Sequence, residues 1–235
     1  SFDPVFLGTY THCMTSPVLS PAALLQRTSC PRPPVVGISG GSIESASVQQ
    51  MMAQVRAQGG IPMVLANHGE RNAAEDIQKI DALMVMGNDF DIAPSRYVDR
   101  YAANDPRRQV HPQTQSTESN PEAHARAVYE EQLLNLAREK QMPTLAVCGA
   151  MQLINVMQGG GLLQHIPDQI GDTHHQQNTL GIPGVCPVIP VTIHAQSMLG
   201  SIAGGVRCLY TASVPPAGDI GSTANSFHHQ RSEER

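Results

Sequence analysis

The chain has 235 residues, 40% of them apolar, a formal charge of -5 at pH 7 and a sequence pI near 6.0. That is enough apolar content for one large core but too little basic charge for a phosphate-binding surface, so nucleic acid is not an expected partner. No run approaches the roughly 18 consecutive apolar residues of a membrane helix, and the N-terminus lacks a basic stretch followed by an apolar one; a cytoplasmic location without membrane partners is expected.

Residues 1–34 hold several Pro and Ser and no sustained periodicity, and read as an irregular arm ahead of a single domain over residues 35–235. From Val35, V-V-G-I-S is a short β-branched strand. Val48, Met51, Met52 and Val55 then recur at helical spacing, and Gly59-Gly60 ends that helix. A second strand, I-P-M-V-L (61–65), a helical patch around Asp76–Ile80 and a third strand, A-L-M-V-M (82–86), follow. Strand, helix, strand, helix, strand predicts a flavodoxin-like α/β three-layer sandwich with a mostly parallel central sheet. Between Gly87 and Pro121 the chain is polar and aperiodic, a long loop expected to overhang a site. A helix is expected from about Glu122 to Lys140, with Tyr129, Leu133 and Leu136 buried, charged residues on the opposite face, and Glu130 and Glu131 solvated. T-L-A-V (144–147) is a strand, A-M-Q-L-I-N-V-M (150–157) a helix broken by Gly159–Gly161, and further strands are expected at Val188–Ile193 and Val206–Tyr210.

Five cysteines, Cys13, Cys30, Cys148, Cys186 and Cys208, make an odd, widely spaced set with no Cys-x-x-Cys pair, which suggests neither a disulfide framework nor a zinc ribbon. Cys148 stands apart. The segment T-L-A-V-C-G-A-M-Q (144–152) puts it where a strand meets a helix, with small Ala146, Gly149 and Ala150 around it. A sharp elbow of this kind lifts a nucleophile above the sheet edge, and the following helix N-terminus offers N–H groups and partial positive charge that favour a thiolate. The segment alone leaves a second reading open, that of a small apolar side chain buried at a strand end.

The third strand runs into M-V-M-G-N-D-F-D-I-A-P-S-R-Y (84–97), with Gly87, Asp89, Asp91, Pro94 and Tyr97. Together with the cysteine elbow, the Gly159–Gly161 and Leu162 segment, and N-S-F-H-H-Q (225–230), it resembles the class I glutamine amidotransferase-like superfamily. Within it, the likeness is to the γ-glutamyl hydrolases and γ-glutamyl-γ-aminobutyrate hydrolases of the peptidase C26 type. The resemblance implies a cysteine-nucleophile hydrolase that cleaves a γ-glutamyl amide through a thioester. It implies Cys148 as nucleophile, Gly87, Asn88 and Gly149 around the oxyanion, and Gln152, Asn225 and Ser226 at the substrate. Two alternatives are a glutaminase domain supplying ammonia to a partner and an inactive binding member of the fold.

The sequence departs from that family in carrying Gly149-Ala150 where relatives have Arg-Gly, and it contains no His-Pro-Glu motif. The expectation is a longer chain whose catalytic His and Glu lie past Arg235; within this sequence His228, or His229 beside it, is the candidate base. No cofactor or metal is expected, because His165, Asp172, His174 and His175 lack the spacing of ordered zinc sites. Asp89 and Asp91 are expected to bond backbone N–H groups rather than a cation. The expected partners are a small-molecule γ-glutamyl substrate and, as an option, a second copy in a homodimer.

Overall fold

The structure is a computed structural model, which describes residues 5–6, 32–171, 181, 189–194, 197, 220–224 and 231–233. The chain forms two compact units: residues 1–93 with 115–157, and residues 94–114 with 158–235.

The first unit is a parallel five-stranded sheet. Its strands are β1 (Val5–Phe6), β2 (Val35–Ser39), β3 (Ile61–Leu65), β4 (Ala82–Val85) and β5 (Thr144–Ala146), in spatial order β1-β5-β4-β2-β3. Leaving the edge strand β1 aside, the order is that of a flavodoxin-like sheet, and the chain reverses its direction of winding at β2 and β4. The helices are α1 (Ala46–Ala57), the short α2 (Ala73–Asp76), α3 (Pro121–Glu139) and α4 (Gly149–Met157). This is the α/β fold that the alternation of strands and helices predicts. Two boundaries differ from it. The helix before β4 spans Ala73–Asp76 and not Asp76–Ile80, because after Ile77 N bonds Ala73 O the backbone changes to i→i−3 bonds, from Gln78 N to Glu75 O and Lys79 N to Asp76 O. The arm contributes β1, a pair of residues too short to show a period, aligned with Leu145 and Ala146.

Core formation follows the apolar stripes. Ile38 on β2, Val48, Met52 and Val55 on α1, and Met86 after β4 pack as one cluster. α3 starts at a strong signal: Asn120 caps it by accepting from the N–H groups of Glu122 and Ala123, with Pro121 in the first turn. Its buried face includes Ala123, Ala127, Tyr129, Leu133, Leu134 and Ala137. No helix among the described residues is long and apolar enough to cross a membrane.

The second unit holds β6 (Gly161–Leu163) paired antiparallel with β9 (Arg231–Glu233), β7 (Ile189–Ile193) paired antiparallel with β8 (Ile220–Ala224), and α5 (Ile166–Ile170). The polar stretch after Gly87 is not aperiodic coil. Four single turns of 3-10 helix, at Pro94–Arg96, Val98–Arg100, Pro106–Arg108 and Thr117–Ser119, satisfy its backbone locally. In the second unit fully buried Gln164 pins residues 107–111: its amide donates to Arg107 O and Gln109 O, and its carbonyl accepts from His111 N.

Candidate active site

Register decides which residues meet at the carboxyl edge of the first unit's sheet. Ser39 is level with Val85, and Val85 with Ala146. Two residues beyond the last pair of β4 and β5 lie Gly87 and Cys148, so the two turns face each other. A Cβ added at Gly87 would sit 3.0 Å from both Cβ and Sγ of Cys148. Glycine is what allows the approach.

Cys148 itself has φ 59, a left-handed backbone that a non-glycine side chain resists. Immediately after it α4 begins, with Gln152 N donating to Cys148 O at 3.1 Å. Strand, left-handed residue and helix form an elbow that projects the side chain from the sheet edge. The thiol is half-buried and belongs to no disulfide. The backbone N–H groups of Gly149 and Asn88 hydrogen-bond to its sulfur. Converging amides of this kind can stabilise negative charge on sulfur or on an oxygen bound beside it.

The balance of charge differs from the sequence expectation. Burial pushes the Cys148 thiol above its ordinary range, the neighbouring Asp89 carboxylate adds to that, and the two amides and the Arg126 guanidinium pull against it. Removal from water thus disfavours the thiolate, against the pull of the amides at the start of the helix.

Behind the Gly87 turn lies a buried polar network that the sequence reading missed. Arg126 Nη2 donates to Met86 O at 3.0 Å and to Gly87 O at 2.7 Å, while its Nε donates to Glu130 Oε1 at 2.8 Å. The same Glu130 oxygen accepts from Ser39 Oγ at 2.8 Å, and His68 Nε2 lies 3.2 Å from that hydroxyl. Glu130 is only 3% exposed and Ser39 fully buried. The expectation of a solvated Glu130 is therefore wrong, and the reason is helical phase: residues 126 and 130 fall on the same stripe as Ala123, Ala127, Leu133 and Ala137. Charged residues at core positions were the available signal. Burial raises the Glu130 carboxyl, with Arg126 and Ser39 opposing. His68 is held down to about 4, first by burial and then by Arg126 and Arg71. It is neutral at pH 7.

Among the other expected residues, Gln152 is buried on α4 one turn beyond the elbow. Asn225, Ser226, His228 and His229 lie outside the described residues, as do Asp172, His174, His175, the other four cysteines and the strand expected at Val206–Tyr210. Asp91 does bond backbone, accepting from Gln115 N at 2.7 Å.

The second unit brings His111, His165 and Asp168 together, each with a candidate ligand atom within 4.8 Å of the others. His111 Nε2 is 2.8 Å from Asp168 Oδ2. The two imidazoles are stacked, with centroids 4.4 Å apart and planes inclined by 14°. An imidazole lone pair lies in the plane of its ring, so two nearly parallel stacked rings do not aim at one ion in this arrangement. A cavity of about 580 Å³ adjoins this cluster, lined by Arg107, Val110, His111 and Leu163 among others.

A family model described as peptidase C26 matches residues 34–234. A Rickettsia prowazekii protein provisionally named glutamine amidotransferase-like is 36% identical over 114 residues, covering 48% of this chain and 35% of its own length. A Mycobacterium tuberculosis protein, provisionally named a glutamine amidotransferase, is 27% identical over 146 residues, 61% of this chain and 41% of that one. Protein NtpR of Enterococcus hirae is 29% identical over 144 residues, 57% of this chain and 54% of its own. The chain thus matches about a third to a half of the length of these relatives.

Proposed function

From the premise that this chain belongs to the peptidase C26 family, among the class I glutamine amidotransferase-like hydrolases, we propose that it cleaves a γ-glutamyl or closely similar C–N amide bond with Cys148 as nucleophile. The observation that carries this reading is the left-handed Cys148 elbow with the N–H groups of Asn88 and Gly149 on its sulfur. The sulfur adds to the amide carbon, and the carbonyl oxygen becomes an oxyanion within reach of those two donors. The C–N bond then breaks, the amine departs with a proton, and a thioester remains. Water adds to the thioester, the S–C bond breaks, and the free acid leaves with the thiolate restored. A histidine carries the protons in both halves, with His228 the candidate within this chain.

The names of two relatives favour a second reading of the same site, in which glutamine is the substrate and ammonia the product passed on to a partner. Ammonia release from free glutamine, set against amine release from γ-glutamyl amines, separates the two. The nucleophile is tested with a γ-glutamyl chloroketone: the protein is expected to take up one label at Cys148, and Cys148→Ala none. Equal incorporation in both overturns the assignment.

A further inference from the structure

We propose that Arg126 is a positioning residue that fixes the direction of the Asn88 N–H, holding it toward the reacting centre; this deepens the amide-hydrolase reading and rests on it. A trans peptide is planar, so the C=O of Gly87 and the N–H of Asn88 point in opposite directions and turn as one body. No peptide among the described residues is cis. Whatever holds Gly87 O therefore aims Asn88 N–H, and Gly87 O is held by Arg126 Nη2 at 2.7 Å. That N–H hydrogen-bonds the Cys148 sulfur.

Such a clamp has work to do because Gly87 lacks a Cβ. The close approach to Cys148 requires glycine, and glycine also makes rotation of the adjoining peptide plane cheap. Arg126 supplies the missing rigidity because it is itself immobilised. Its Nε is tied to Glu130, and Glu130 accepts from Ser39, the last residue of β2, which is in register with Val85 of β4. The turn is braced against the strand beside it. From the other side, Asn88 Oδ1 accepts from Phe90 N at 3.1 Å, closing the turn locally.

Arginine suits the position. Its fork directs Nε at a carboxylate while Nη2 spans two carbonyls, whereas lysine carries one nitrogen for all three acceptors. Arg126→Lys therefore retains the positive charge and removes the clamp. The rate of Cys148 alkylation by iodoacetamide is measured against pH in both proteins. Loss of an N–H donor to the thiolate moves the Arg126→Lys profile to higher pH, so alkylation at a fixed pH below the midpoint slows several-fold. With γ-glutamyl p-nitroanilide, kcat falls by roughly 10²–10³-fold and KM stays within about threefold, the pattern of a lost donor to developing charge.

Tyr129→Phe, on the same helix but bonded to Asp76 and Arg71 instead, is the control and keeps both readouts. Glu130→Gln, nearly isosteric, is the second variant, and its profile shifts in the same direction by less. A folded Arg126→Lys or Glu130→Gln with the original alkylation profile overturns the clamp. If the unmodified protein fails to turn over the anilide, the hydrolase reading fails, and the alkylation profiles still decide the role of Arg126.

Discussion

A methyl group at position 87 would lie 3.0 Å from two atoms of Cys148, closer than nearly all real carbon contacts. Gly87→Ala must push the elbow and the β4 turn apart, and displacements below an ångström at a reacting centre cost on the order of 10²-fold in rate. We expect kcat to fall by about that factor while the far-UV circular dichroism spectrum is unchanged; a variant working at the original rate would show that the two turns do not cooperate. The sequence makes Gly87 and Cys148 visible because each ends an apolar strand and is flanked by small or turn-forming residues. Arg126 is not visible in the same way. A charged residue on an amphipathic helix is ordinarily solvated, and only its phase, in line with Ala123, Ala127 and Leu133, betrays that it points inward. The left-handed backbone at Cys148 is likewise hidden, since cysteine carries no preference for it.

At the level of elements, apolar periodicity locates β2, β3, β4, β5, α1, α3 and α4 to within a few residues, because each buries a stripe or a whole face against a neighbour. β3 and β2 coincide with their expected bounds, Ile61–Leu65 and Val35–Ser39. Where hydrogen bonding rather than burial organises the chain, the same reasoning is blind. The single turns of 3-10 helix between residues 94 and 119 follow local caps such as Asp105, which accepts from Arg107 N, and Ser116, which accepts from Glu118 N. Gln164, which no pattern in the sequence singles out, anchors three backbone groups of residues 107–111. Pairing in the sheet is equally illegible: that β4 lies between β2 and β5, which is what makes Gly87 and Cys148 neighbours, is a property of the topology and not of any one segment.

For the molecule as a whole, His68 ties stability to pH. Its folded pKa is about 4 against an ordinary 6.5, so between these values the unfolded chain binds a proton that the folded chain refuses. The contribution is fully present above 6.5 and is lost as pH falls toward 4. The shift would be worth a few kcal/mol if the ring were wholly buried, and solvent screening of this half-buried ring reduces it to about 1–2 kcal/mol. Between pH 7 and pH 4 the urea midpoint should fall less in His68→Gln than in the unmodified protein; the raised Glu130 carboxyl favours the folded state as pH falls through the same window, but it is common to both proteins and cancels in the comparison. Asp76, held below its usual range by hydrogen bonds from Arg71, Tyr129 and Lys79 against the opposing effect of burial, contributes only at lower pH and does not confuse the reading.

The left-handed residue at the elbow has a further consequence for heating. Alanine and glycine both delete the sulfur, yet alanine must still hold its methyl in a backbone shape that disfavours it by about 1 kcal/mol, and glycine is indifferent. Across most of a protein glycine is the less durable of the two, by about 0.4–1 kcal/mol through its freer unfolded chain; at residue 148 the left-handed penalty on alanine offsets that deficit, so Cys148→Gly should melt no lower than Cys148→Ala. The elbow would then be seen to hold, in a cysteine, a backbone posture that only glycine takes up without resistance.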